Sequence, residues 1–133
     1  MTKEQLKNIP RIEKNIKRKK RQLDEVRELM YCVPALSGDE KVQTSTMDSS
    51  MSKVDAALDL ERKLHEDCLK LLKLKGEAYD IIREINDDRE RELMELRYID
   101  GLRWEKIALE MHYSYRWVTR LHGRILKKLF PND

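Results

Sequence analysis

Between Val54 and Ile85, apolar side chains recur at intervals of three and four residues, and this spacing constrains the fold more than any other feature of the 133-residue sequence. Val54, Ala57, Leu64, Cys68, Leu71, Ala78, Ile82 and Ile85 fall on one side of a single long helix. At about 1.5 Å per residue it spans roughly 50 Å. Glu61 and Lys75 are polar breaks in this seam, and Ser52 with Asp55 forms a capping pair at its start. A second seam, Ile9, Ile12, Ile16, Leu23, Val26 and Met30, with Lys19 as its one polar position, predicts an earlier helix over roughly 10–31. Pro10 suits its first turn, where the missing N–H costs nothing, and Pro34 closes it. Both apolar stripes need cover from water. The two helices bury them against each other in an antiparallel hairpin, or against a second chain, because either partner hides the same positions. We take the single-chain hairpin, which leaves a homodimer compatible with it.

Composition agrees with long helices. Charged residues make up 40% of the chain and there are only 4 Gly and 3 Pro, too few turn-formers for a sheet-rich fold, so the expected class is all-α. The expected organisation is an N-terminal coiled-coil helix over 1–33, a flexible connector over 34–52, a long helix over 53–85 and a compact helical unit over 86–133. The connector, PALSGDEKVQTSTMDSSMS, has neither helical nor strand periodicity. No run of 18 apolar residues and no apolar leader occurs, which argues against membrane insertion and secretion and predicts a cytoplasmic protein. Cys32 and Cys68 lie far apart, in no CxxC pattern, and are expected to be reduced. His65 and Cys68 sit three apart without further ligands, so no metal or other cofactor is expected. His122 has no nucleophile, paired carboxylates or phosphate-binding Gly loop to work with, so the chain is not expected to be an enzyme.

The charge is unevenly spread. Between Met111 and Pro131 there is no acidic residue, while Arg116, Arg120, Arg124, Lys127 and Lys128 occur there, a local field that attracts a polyanion. The run KRKKR from Lys17 to Arg21 reads first as the solvated face of a coiled-coil helix and second as a nucleic-acid contact.

The segment from Asn86 to Phe130 divides into three short helices. Asn86 or Asp87 caps the first, with Glu90 completing a capping box to Asp87, and Asp100–Gly101 stops it. The second runs from about Trp104 to Met111. The third starts after Ser114, a good N-cap, and ends before Pro131. A turn of about three residues between the last two helices matches a helix-turn-helix, and small Ala108 lets them cross closely. Ile107, Met111, Val118, Leu121 and Ile125 are the expected contacts, completed by Leu96, Leu102 and Trp104. With Val118, Leu121 and Ile125 inward, 100° per residue turns Arg116, Arg120, Gly123 and Lys127 outward, flanked by Thr119 and Arg124. The arginines are suited to guanine O6 and N7 or to phosphate, and Gly123 opens the helix to close approach. The unit is small, so Ile82 and Ile85 are expected to supply part of its base.

The stretch RERELMELRYIDGLRWEKIALEMHYSYRWVTRLHGRILKKL resembles region 4 of sigma-70 factors in its order of REREL, LRY, GL, a helix with Ile-Ala, a capping Ser and a basic tail. The whole chain is similar to small prophage-encoded regulators of Gram-positive bacteria, near the RinA-like and ArpU-like activators of late phage genes. The resemblance implies base reading by Tyr115, Arg116, Thr119 and Arg120. Arg103, Arg124, Lys127 and Lys128 are the expected phosphate contacts. Arg103 and His112 depart from the family pattern, which has a capping Ser and a turn Gly at those places. Arg103 cannot cap, and His112 must accept the turn's backbone geometry, with strain if that is left-handed.

The expected function is that of a sequence-specific regulator of phage genes that binds double-stranded DNA and offers its helical body to a second subunit or to RNA polymerase. The competing readings are a small terminase-like packaging protein, which also joins such a unit to oligomerising helices, and a coiled-coil adaptor.

Overall fold

The computed structural model describes residues 1–36 and 43–132, and between 30 and 50 the helical backbone only. It is all-helical, with no strand among the described residues: α1 Lys3–Leu36, α2 Gln43–Ile82, α3 Asp88–Met94 followed directly by a π-helical turn Glu95–Ile99, α4 Trp104–Met111 and α5 Tyr115–Leu129.

Both long helices exceed their expected limits. α1 starts at Lys3, so Pro10 lies within the helix and not in its first turn. The start is fixed upstream by a reciprocal capping box: Gln5 N donates to Thr2 Oγ1 at 3.2 Å and Thr2 N donates to Gln5 Oε1 at 2.9 Å. The added turns bury Leu6 and Ile9, which offsets the backbone cost of an interior proline. At the other end α1 passes Pro34 to Leu36, and α2 begins at Gln43, well before Lys53. Residues 43–52 contain neither Gly nor Pro, so nothing in them stops a helix already nucleated downstream. Helix thus takes both ends of the expected connector, whose centre, 37–42, lies outside the described residues.

The chain divides into two compact units, one of residues 14–69 and one of 1–13 with 70–133. In the first, Leu23 and Ala57 are buried. Ile16, Val26 and Leu64 are half-buried, whereas Val54 and the free thiol Cys68 are exposed despite their seam positions. The side chains of Met30 and Cys32 lie outside the described residues. The polar seam residues are matched across the helices, Lys19 of α1 with Asp67 of α2 and Arg27 of α1 with Glu61 of α2.

The second unit holds the larger core. Leu6 and Ile9 of α1 and Ala78 and Ile82 of α2 share one cluster with Leu93, Met94, Tyr98, Ile107, Val118 and Ile125. Fully burying a side chain of this size contributes about 1.5–3 kcal/mol, so the first turns of α1 and the last of α2 are structural parts of the unit that carries α4 and α5. Lys75, the other polar seam residue, pairs with Glu13 and donates to Ile99 O at 3.0 Å, placing a cation at the carbonyl end of the π turn. Asp100 N donates to Glu95 O at 3.0 Å and Leu102 N to Leu96 O at 3.0 Å. Gly101 closes the segment at φ 71, where a Cβ would also meet the Glu13 carboxylate.

Candidate nucleic-acid interface

The surface in question begins with a cap. Ser114 sits at φ −72, ψ 153 and its Oγ accepts from Trp117 N at 3.2 Å, which fixes the first turn of α5. Before it, His112 ends α4 in the left-handed region at φ 59, ψ 39, and its N–H donates to Ala108 O and Leu109 O. Glycine adopts this conformation without cost; histidine holds it under strain, offset by the bonds it makes. Tyr113 then stacks on Trp117 with ring centres 4.0 Å apart and planes 25° apart, and Arg89 Nη1 donates to Tyr113 Oη at 3.3 Å. The turn between α4 and α5 is thus held from both ends. Upstream, Asp87 caps α3 through Arg89 N and Glu90 N. The capping-box expectation for Glu90 is corrected: its Oε1 accepts from Lys128 Nζ at 2.8 Å and ties α3 to the end of α5.

α5 has two chemically distinct sides. Val118, Ile125 and Leu126 are buried in the core, with Leu121 half-buried beside them. Arg116, Arg120, Gly123, Arg124 and Lys127 are exposed. Tyr115, 51% exposed, and Arg116 lie in the first turn, and Arg120 follows one turn on from Arg116, so three of the four base-reading candidates share an open face. Thr119 is half-buried between them, its hydroxyl proton shared by Tyr115 O at 3.1 Å and Arg116 O at 3.0 Å, which leaves the oxygen to accept. Among the phosphate candidates, Arg103 is exposed one residue before α4, with the N-cap geometry φ −73, ψ 157 but no side-chain cap. Lys128 differs from the rest through its ion pair with Glu90, whose carboxylate is largely covered.

Beside this face lies a polar and aromatic cluster, with Tyr98 buried and Arg97, Trp104 and His122 half-buried, that the sequence reading did not assemble. Tyr98 Oη and His122 Nε2 share a hydrogen bond of 2.6 Å, the Trp104 ring meets His122 edge-on at 4.6 Å, and the Arg97 guanidinium lies 4.4 Å over Trp104. Arg97 Nη1 also donates to Leu102 O at 3.1 Å. Burial, with the positive charges of Arg97, Lys7 and Lys3, depresses the His122 pKa to about 4, and burial raises that of Tyr98 to about 12. Both are neutral at pH 7. The cluster ties the π turn, α4 and α5 to one another through side-chain contacts. Trp104 and Trp117 are half-buried, their rings engaged within the protein.

No protein family model, curated protein or solved structure matches the chain. No helix of the described residues is long and apolar enough to cross a membrane.

Proposed function

We propose that this chain is a sequence-specific transcription regulator that binds double-stranded DNA, with α4 and α5 as a helix-turn-helix and α5 lying in a major groove. The observation that carries the reading is the division of α5: Val118 and Ile125 are buried, while Arg116, Arg120 and Lys127 are exposed with Gly123 among them. A groove-reading helix needs this arrangement, donors on the outer face and a backbone that bases can approach. Arg116 and Arg120 supply bidentate donors for guanine, and Tyr115 and Thr119 complete the reading face. Arg103, Arg124 and Lys127 hold phosphates; Lys128 contributes less because Glu90 offsets its charge.

The helical body is an antiparallel hairpin of α1 and α2. Supporting this, Lys19 pairs with Asp67 and, further along α1, Arg27 pairs with the earlier α2 residue Glu61. The likeness of residues 89–129 to sigma-70 region 4 supports RNA polymerase as a further partner, and the similarity of the whole chain to prophage-encoded regulators supports phage genes as the targets.

Selection from a pool of random duplexes tests the proposal. The full chain is expected to enrich one short motif, protected in the major groove against guanine N7 methylation. Recovery of duplexes without any shared motif would reject sequence-specific reading.

A further inference from the structure

The coiled-coil body carries a charged surface that the α5 interface does not use. On α1, Lys14, Lys17, Arg18 and Arg21 stand at i, i+3, i+4 and i+7, so they form one stripe about 10 Å long, and all four are exposed. Lys19, in the same basic run, faces the other way and is neutralised by Asp67. No ion pair with a described residue engages the four outward side chains. A face kept only for solubility mixes charges of both signs; this one repeats a single sign at spacings where like charges repel and weaken a helix. It also ends abruptly, since the next positions along it are Glu25 and Glu28.

We infer that Lys14, Lys17, Arg18 and Arg21 form a second, sequence-independent contact for the phosphate backbone of double-stranded DNA. The inference rests on the reading of the chain as a DNA-binding protein. Four donors over about 10 Å match a row of phosphates, and none is fixed in the geometry that base recognition needs. An anionic membrane is the weaker match, because helices that lie on membranes insert an apolar face, and the apolar side of α1 is occupied, with Leu23 buried and Ile16 half-buried. Carried on the same chain as α5, the stripe raises the effective concentration of DNA at the reading face and strengthens binding without altering which bases are preferred.

The test compares full-length protein with the fourfold variant Lys14→Gln, Lys17→Gln, Arg18→Gln and Arg21→Gln, and with the double variant Arg116→Ala, Arg120→Ala. Binding is titrated over a range of salt on a random-sequence duplex and on a panel of duplexes of differing sequence. The fourfold variant is expected to lower the slope of log affinity against log salt by about 2 to 4, at about 0.9 for each phosphate contact, and to weaken binding at least tenfold at low salt. Its order of preference across the panel stays that of the wild type, whereas the double variant changes that order. A charge-preserving variant, Lys14→Arg, Lys17→Arg, Arg18→Lys and Arg21→Lys, keeps the wild-type slope, which separates lost charge from lost helix. A slope that moves by less than one unit in the fourfold variant overturns the α1 contact whatever α5 does. A lowered slope with an order indifferent to Arg116 and Arg120 supports the α1 contact and sinks the α5 reading. Stripe-dependent binding to phosphatidylserine vesicles or to single-stranded RNA, with an unchanged duplex slope, overturns the inference in favour of those ligands.

Discussion

Gly123 lies within α5 and is exposed, and a Cβ built there meets nothing within 4 Å, so the folded chain itself gives no reason for glycine. The proposed reason is close approach by DNA, and it separates stability from function. Gly123→Ala is expected to raise stability by about 1 kcal/mol, the propensity difference in a helix interior, and to weaken duplex binding. Gly76, also exposed in α2 with nothing within 4 Å of an added Cβ, is the control. Gly76→Ala should stabilise by a similar amount and leave binding unchanged; urea unfolding with a duplex titration on both variants checks the pair. His122 gives a pH-dependent prediction. Its folded pKa of about 4 lies below its ordinary 6.5, so as the pH falls from 6.5 towards 4 the unfolded chain takes up a proton that the native state does not. Stability at pH 5 should therefore be lower than at pH 7 by about 2 kcal/mol in urea unfolding, and His122→Gln should remove most of that difference. The position of His122 was legible in the sequence; its hydrogen bond to Tyr98 was not, because Tyr98 comes from the π-helical turn, 24 residues earlier.

The π turn Glu95–Ile99 is the main feature of the elements that the sequence spacing did not reveal. Leu96, one of the expected contacts, is half-buried against the core, and the fully buried Tyr98, which the reading left out, sits two residues on within the π turn. The start of α1 was missed for another reason: Pro10 suggests a helix beginning, yet the Thr2 and Gln5 pair in the sequence is the actual capping signal. α5 was legible throughout, since its Ser114 cap and the spacing of Val118 and Ile125 are local features that tertiary packing leaves in place. Arg103 marks where the chain departs from a good helix start. It has N-cap backbone geometry without a capping side chain, so Arg103→Ser should stabilise the protein by about 1 kcal/mol in thermal unfolding. The same change removes a proposed phosphate contact and should weaken all duplexes alike.

The unit that bears α5 is assembled from distant parts of the chain. Leu6, Ile9, Ala78 and Ile82 are buried in the same cluster as Leu93, Met94 and Val118, so residues 86–133 alone lack a substantial part of their core. A fragment from Asn86 is expected to melt far below the full chain by circular dichroism and to bind duplex poorly. A fragment from Met51 retains Ala78 and Ile82 but loses Leu6 and Ile9, each worth about 1.5–3 kcal/mol, and should fall between the two. Equal melting of the Asn86 fragment and the full chain would show that the long helices give no support. Whether the outer face of α5 reads bases is decided by titrating the selected duplex and its single-base-pair variants against wild type, Arg116→Ala and Arg120→Ala. Each arginine variant should lose about 1 to 3 kcal/mol of discrimination at one base position and keep the wild-type preferences elsewhere. The same ranking of duplexes by all three proteins would contradict base reading by that face.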